Sequence, residues 1–229
     1  MSDQPVLAIT GASSGIGAAS ARRAVDAGWR VVLGARNEER LSDLAAELGG
    51  ERHAIAQRCD VTSWEDQQAL VAAAVERFDR LDACLANAGF GASRGFLEES
   101  VEHWKAMIDT NVYGVALSIR AALAHFRAAG AGHMLLMSSV AGRRALPGSL
   151  YAATKWAVTA MGEGLRQEVS GEGIRVTLIE PGMVDTPFFD NRPERALEAD
   201  DVARAVVYAL DQPAHVEVAE TMIRPLPSG

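Results

Sequence analysis

At 229 residues the chain fits one α/β domain, and a domain of that size buries well over half of its unfolded surface without disulfide or metal staples. A composition of 48% hydrophobic and 23% charged residues is that of an ordinary globular protein, with no apolar run long enough to span a membrane. The formal charge of −8 excludes a general nucleic-acid binder, but it leaves room for an anionic cofactor held at a local positive end. The polar start, 1–4, runs straight into a strand-like segment, so the expectation is no signal peptide and a cytoplasmic protein. Cys59 and Cys84 have no Cys or His at metal-ligand spacing and read as small buried hydrophobes.

In chain order, apolar runs alternate with amphipathic helical stretches, the βαβ rhythm of a parallel sheet. Val6–Thr10 reads as a first strand and 16–27 as its helix, closed by Gly28 just past the end. A second strand, 30–34, precedes a helix capped by Asn37, with Glu38 and Glu39 in its first turn. A weaker third strand, 53–58, leads to a helix where Ser63 and Asp66 resemble a capping box. Ala83–Ala86 is a short fourth strand. Ser100 caps a helix to about 109, continued over 110–129 and ended by Gly130 and Gly132. A fifth strand, 133–137, a long helix, 150–169, and a sixth strand, 174–179, follow. Val202, Ala205, Val206, Ala209 and Leu210 mark a last helix at 3.6-residue spacing, and 217–223 can form a final strand. Only 185–200 is irregular at length.

The segment from Thr10 to Gly17, TGASSGIG, lies between the first strand and the first helix. Glycines there let the backbone turn sharply beside a pyrophosphate, and the helix N-terminus offers free N–H groups. The spacing Gly11, Gly15, Gly17 is Gly-x-x-x-Gly-x-Gly, and it resembles the short-chain dehydrogenase/reductase family. The second strand ends in Gly34-Ala35-Arg36. Ala35 stands where a carboxylate would hold the ribose of NAD, and the Arg36 guanidinium suits the 2′-phosphate of NADP, so NADP is the expected cofactor. The resemblance extends to Asp60-Val61 as an adenine-contacting pair and to Asn87-Ala88-Gly89 as a turn beside the cofactor. It also covers Pro181-Gly182-Met183-Val184-Asp185-Thr186 as the segment that fixes the nicotinamide carboxamide. Ser13, Ser14 and Ile16 belong to the phosphate turn on the same reading.

Tyr151 and Lys155 are four apart and share one helix face. Hydride transfer to a carbonyl builds charge on oxygen and needs a proton; a nearby ammonium favours the phenolate. The resemblance therefore makes Tyr151 the acid/base and Lys155 the group that lowers its pKa and holds the ribose. It gives Asn111 the task of holding a water near Lys155, and a serine that of hydrogen-bonding the reacting oxygen. Two criteria disagree on that serine. Ser138 lies thirteen residues before Tyr151, the family's usual interval; Ser139 is the second of the Ser-Ser pair and heads the matching Ser139-Val140-Ala141-Gly142. Ser139 is favoured, because loops absorb deletions.

The implied fold is a Rossmann-like doubly wound parallel sheet in three layers, one domain with a short substrate lid at about 185–200. The implied function is an NADP(H)-dependent alcohol–carbonyl oxidoreductase. A broad aldehyde/ketone reductase and a non-catalytic NADPH-binding regulator are the alternatives. Family members are commonly tetramers or dimers that pair two long helices, here 111–129 and 150–169, so a homotetramer is expected, with a homodimer as alternative. Phe188 and Phe189 offer apolar contact to a substrate, and Arg143, Arg144 and Arg192 could meet a carboxylate. The stretch 215–225 further resembles the branch of the family that acts on small 3-hydroxy acids and the matching semialdehydes. No nucleic acid, membrane or metal partner is expected.

Overall fold

The computed structural model describes residues 4–188 and 194–226. Seven parallel strands form its main sheet in the order β3-β2-β1-β4-β5-β6-β9. They are β1 (Val6–Thr10), β2 (Arg30–Ala35), β3 (Ala54–Arg58), β4 (Ala83–Ala86), β5 (Gly132–Met137), β6 (Ile174–Pro181) and β9 (Glu220–Ile223). The helices are α1 (Gly15–Asp26), α2 (Glu38–Glu47), α3 (Trp64–Phe78), α4 (Val101–Ile108), α5 (Gly114–Ala129), α6 (Leu150–Glu168) and α7 (Ala199–Leu210). A two-residue pair, β7 (Val184–Asp185) with β8 (Leu197–Glu198), stands apart from the main sheet. This is the doubly wound α/β architecture.

Strand burial follows position in the sheet. Every residue of β1 and β2 is buried, because helices cover both faces. The outer strands β3 and β9 alternate between inside and outside. Leu7, Ile9, Val31 and Leu33 face one core with Ala21, Leu41 and Val206. Val6, Ala8 and Val32 face the other with Leu70, Phe126 and Val158. The strand order reverses between β1 and β4, and a crevice opens there beyond the carboxyl ends of the strands.

The expected caps form at Asn37, Ser63 and Ser100, and Ser149 adds one the sequence reading did not name; each accepts the N–H three residues on, at 2.9–3.1 Å. The box at Ser63 is half made, since the Asp66 carboxylate turns instead to the Asp60 N–H at 2.8 Å and to Arg58 at 2.9 Å. The last strand is shorter than expected, because the Glu217 carboxylate takes the Val176 N–H at 2.8 Å before strand pairing begins at Glu220. Between α4 and α5 the helix widens into one π-type turn, Asp109–Tyr113. Both cysteines are buried and burial pushes their thiols up to about 12, as suits inert core residues. Among the described residues no helix is long and apolar enough to cross a membrane, and no cluster of His, Cys, Asp or Glu could hold a metal ion.

Candidate active site

A cleft of about 920 Å³ runs along the carboxyl edge of the sheet, from the turn after β1 to the start of α6. Its first end is made of backbone. Gly11 and Gly15 adopt φ of +67° and +53°, a region open to glycine at little cost. A Cβ on Gly11 would sit 2.8 Å from the Ala88 Cα, and one on Gly17 would sit 2.3 Å from the Gly11 carbonyl oxygen. The glycines thus let α1 close onto the turn. Ser14 caps α1 with no side-chain hydrogen bond, so the first-turn N–H groups and the Ser14 hydroxyl remain for a ligand. Ser13, Ser14, Gly15 and Ile16 line the cleft, while Gly17 lies behind it.

The turn after β4 is tied to this cradle. Thr10 Oγ1 accepts from the N–H groups of Asn87 and Ala88 at 3.0 and 3.2 Å, and Asn87 Nδ2 donates to the Thr10 carbonyl at 3.0 Å. Asn87 therefore holds β1 to β4 while its turn faces the cleft. Ala35 and Arg36 line the cleft at the end of β2. Ala35 is buried; Arg36 is exposed and makes no hydrogen bond or ion pair among the described residues. Asp60 and Val61 line the same end, and the Thr62 N–H holds the Asp60 carboxyl below the usual carboxylate range.

The other end is made of side chains. Lys155, on α6, is 5% exposed, and its Nζ donates to the Met137 carbonyl at 2.7 Å. Its ammonium stands 5.7 Å from the Tyr151 ring centroid. Burial pushes Lys155 down to about 8. Burial also pushes the Tyr151 phenol up to about 12, against the downward pull of a hydrogen bond with Ser139. The resemblance implies that Lys155 depresses Tyr151; in the protein alone the loss of hydration is the largest influence on that phenol.

The two serines part company. Ser138 Oγ turns into α6, to the Lys155 carbonyl at 3.2 Å and Thr159 Oγ1 at 2.8 Å. Ser139 Oγ accepts from the Ala141 N–H at 3.1 Å, donates to the Pro181 carbonyl at 3.3 Å, and meets Tyr151. Asn111 lies in the π-type turn and is fully buried. Its Oδ1 accepts from the Phe90 N–H at 3.0 Å, and its Nδ2 donates to the Phe90 carbonyl at 2.8 Å and to Thr154 Oγ1 at 3.2 Å. Asn111 thereby fastens the 87–90 turn to α6. A Cβ at Gly89 would come within 3.0 Å of the Asn111 Oδ1 and 3.7 Å of the Lys155 Nζ, so glycine there lets the groups close up.

Pro181, Gly182, Val184 and Thr186 form the near wall, and the Gly182 N–H is held by the Ile223 carbonyl at 2.7 Å. Thr186 packs over Gly15, joining the two ends. Phe188 meets the Tyr151 ring edge-on at 5.4 Å and fills the space a side chain at Gly91 would take. Arg143 does not face the cleft as a free cation. It pairs with Glu180 at 2.7 Å, Glu163 at 3.0 Å and Glu220, which removes it as a candidate for a substrate carboxylate. Arg144 is exposed at the cleft without a partner among the described residues. Phe189 and Arg192 lie outside the described residues. Phe90, Arg94 and Leu146 also line this end and went unread in the sequence. The one available signal was position, since segments following β4 and β5 emerge at the ligand-binding edge.

A family model described as short chain dehydrogenase matches residues 5–196. An uncharacterised oxidoreductase of Staphylococcus saprophyticus is 39% identical, covering 96% of this chain and 97% of its own. An alcohol dehydrogenase of the archaeon Thermococcus sibiricus, solved in complex with 5-hydroxy-NADP, superposes with a TM-score of 0.90 at 33% identity, over 98% of this chain and 97% of that one. The serine dehydrogenase of Escherichia coli superposes with a TM-score of 0.85 at 32% identity, over 95% and 96%.

Proposed function

The chain belongs to the short-chain dehydrogenase family, oxidoreductases that act on CH–OH groups with a nicotinamide cofactor, and on that premise we propose that it is an NADP(H)-dependent enzyme interconverting a small 3-hydroxy acid or its relatives with the matching carbonyl compound. The observation that carries the reading is the meeting of Ser139, Tyr151 and Lys155 in one cleft with the glycine turn.

NADP(H), when bound, supplies or accepts the hydride. The glycine turn and the first turn of α1 would hold its pyrophosphate, with the Ser13 and Ser14 hydroxyls beside them. Arg36 would take the 2′-phosphate, and the buried Ala35 leaves no carboxylate to repel it. Asp60 and Val61 would border the adenine, Asn87-Ala88-Gly89 would lie beside the cofactor, and 181–186 would hold the carboxamide. Tyr151 gives its proton to the carbonyl oxygen in reduction and recovers it in oxidation. The Ser139 hydroxyl hydrogen-bonds the same oxygen, and Lys155, anchored on Met137, faces the phenolate as it forms. Asn111 holds the loop that closes over Lys155. The family resemblance adds a water there.

Arg144, exposed at the catalytic end without a partner among the described residues, supports an anionic substrate, as does likeness to a serine dehydrogenase, since serine is a 3-hydroxy acid. At the described start of the expected lid, about 185–200, Phe188 meets the Tyr151 ring, which supports that part for the segment. The working form is a cytoplasmic homotetramer, or a homodimer, joined through α5 and α6. The half-exposed Tyr113 and Trp156 support that surface. The deciding experiment follows NADPH oxidation with a 3-oxo acid or semialdehyde and with its neutral methyl ester. The acid is expected to be preferred, with Arg144→Ala raising its KM. Equal use of the ester, with KM unmoved, leaves a broad aldehyde/ketone reductase. No turnover with any carbonyl removes the catalytic reading.

A further inference from the structure

Arg143 follows directly on the turn that begins at Ser139, and its guanidinium is the centre of a four-residue knot. Its Nε donates to the Glu180 Oε1 at 2.7 Å, its Nη1 to the Glu163 Oε1 at 3.0 Å, and its Nη2 pairs with Glu220. The three carboxylates come from three elements: β6, α6 and β9. Glu180 is 1% exposed and immediately precedes Pro181, while Glu163 lies on the helix that carries Tyr151 and Lys155. One cation thus ties the serine turn to the nicotinamide-side segment, to the catalytic helix and to the last strand.

The surroundings make this tie specific. Gly142 packs so closely on α6 that a Cβ there would lie 2.7 Å from the Lys155 carbonyl oxygen and from Thr159 Oγ1. Ser139 itself reaches the Pro181 carbonyl at 3.3 Å. The turn is therefore clamped between α6 and the end of β6, with Arg143 as the charged member of the clamp. A planar guanidinium offers several donors in fixed directions, which a lysine or an apolar side chain cannot reproduce. Glu180 is pushed up by burial and pulled back by Arg143, so without the guanidinium a buried carboxyl would lose its counter-charge.

We propose that Arg143, with Glu180 as its principal partner, is a positioning residue for hydride transfer: it sets Ser139 and the Pro181–Gly182 segment in register with Tyr151, and it touches no substrate. The inference rests on the catalytic reading of Ser139 and Tyr151 above. A misplacement of about 1 Å at a reacting centre lowers rate by roughly a hundredfold, so loss of the tie should appear in kcat more than in cofactor binding.

The experiment measures kcat, KM and NADPH affinity, the last by fluorescence titration, for Arg143→Met, Arg143→Lys and Glu180→Gln. Arg143→Met is expected to lower kcat by about tenfold or more, with NADPH affinity within about threefold of wild type and partial recovery in Arg143→Lys. In a Ser139→Ala background Arg143→Met should add little, since residues acting as one unit are not additive. If Arg143→Met does not fold, Glu180→Gln, close in shape, carries the test: lower kcat at unchanged NADPH affinity supports the proposal, and unchanged kcat overturns it. A folded Arg143→Met with kcat within twofold of wild type also overturns it, as does a loss of kcat matched by an equal loss of NADPH affinity. A wild-type protein with no turnover fails the catalytic reading, whereas an active wild type with active variants fails this inference alone.

Discussion

The two ends of the cleft are built by different means. At the phosphate end the chain presents backbone: two glycines at positive φ, a helix start with open N–H groups, and a turn whose polar side chains tie strand to strand. At the catalytic end it presents side chains from the turn after β5, from α6 and from the 181–186 segment, held by contacts far along the chain, such as Ser139 with Pro181 and Lys155 with Met137. A binding cradle can be written in a few consecutive residues. A proton-transfer site has to be assembled from several segments, and burying it shifts its ionisable groups in opposite directions.

The sharpest way to break this comparison is Tyr151→Phe. Turnover should fall by a hundredfold or more, the order expected for losing a positioned proton donor, while NADPH affinity stays near wild type. Steady-state kinetics beside fluorescence titration checks both; a joint loss of binding and rate would mean that the two ends are not separable.

Next is Lys155→Met. Because the folded-state pKa of Lys155 is lowered to about 8, the unfolded chain binds more protons between there and the ordinary value of 10.5. Stability from this group therefore rises with pH across that window, and below about 8 the cost of the buried charge is felt in full. The variant should be more stable than wild type at pH 7, by on the order of 3 kcal/mol, and that advantage should vanish above pH 10.5, while activity is lost. Denaturant titrations at several pH values decide it. A variant less stable at pH 7 would mean that the Met137 contact outweighs the burial.

The smallest effect belongs to the phosphate end. NADPH should be preferred over NADH by about tenfold in kcat/KM, roughly 1.4 kcal/mol, and Arg36→Ala should abolish the preference without changing kcat with NADH. Equal use of both cofactors by the wild type would remove Arg36 from the site.

Legibility followed the same division. Gly11, Gly15 and Gly17 announced the cradle by spacing, and the caps at Asn37, Ser63 and Ser100 were written within three residues of each helix start. Ser138 and Ser139 could not be separated by counting, because the choice depends on which way each hydroxyl turns, into α6 or toward Tyr151. Arg143 was read as a cation open to a substrate, because its partners Glu163, Glu180 and Glu220 lie 20, 37 and 77 residues along the chain. The burial of the Tyr151 phenol was equally out of reach of counting, because it is a property of the assembled core.

The sheet that supports the cleft has a consequence for how the protein comes into being. All its strand pairings are parallel, so none is closed by a hairpin and each waits for a crossover. As the chain emerges from a ribosome, β1 can zip to β2 within some thirty residues, but its other edge pairs with β4, whose register joins Leu7 to Ala83. Until that stretch is made, one of the most apolar strands of the molecule has an open, sticky flank. Long-range closures of this kind slow folding and prolong the period in which a nascent chain can aggregate. Expression of this protein should therefore respond to slower synthesis and lower temperature before it responds to surface charge.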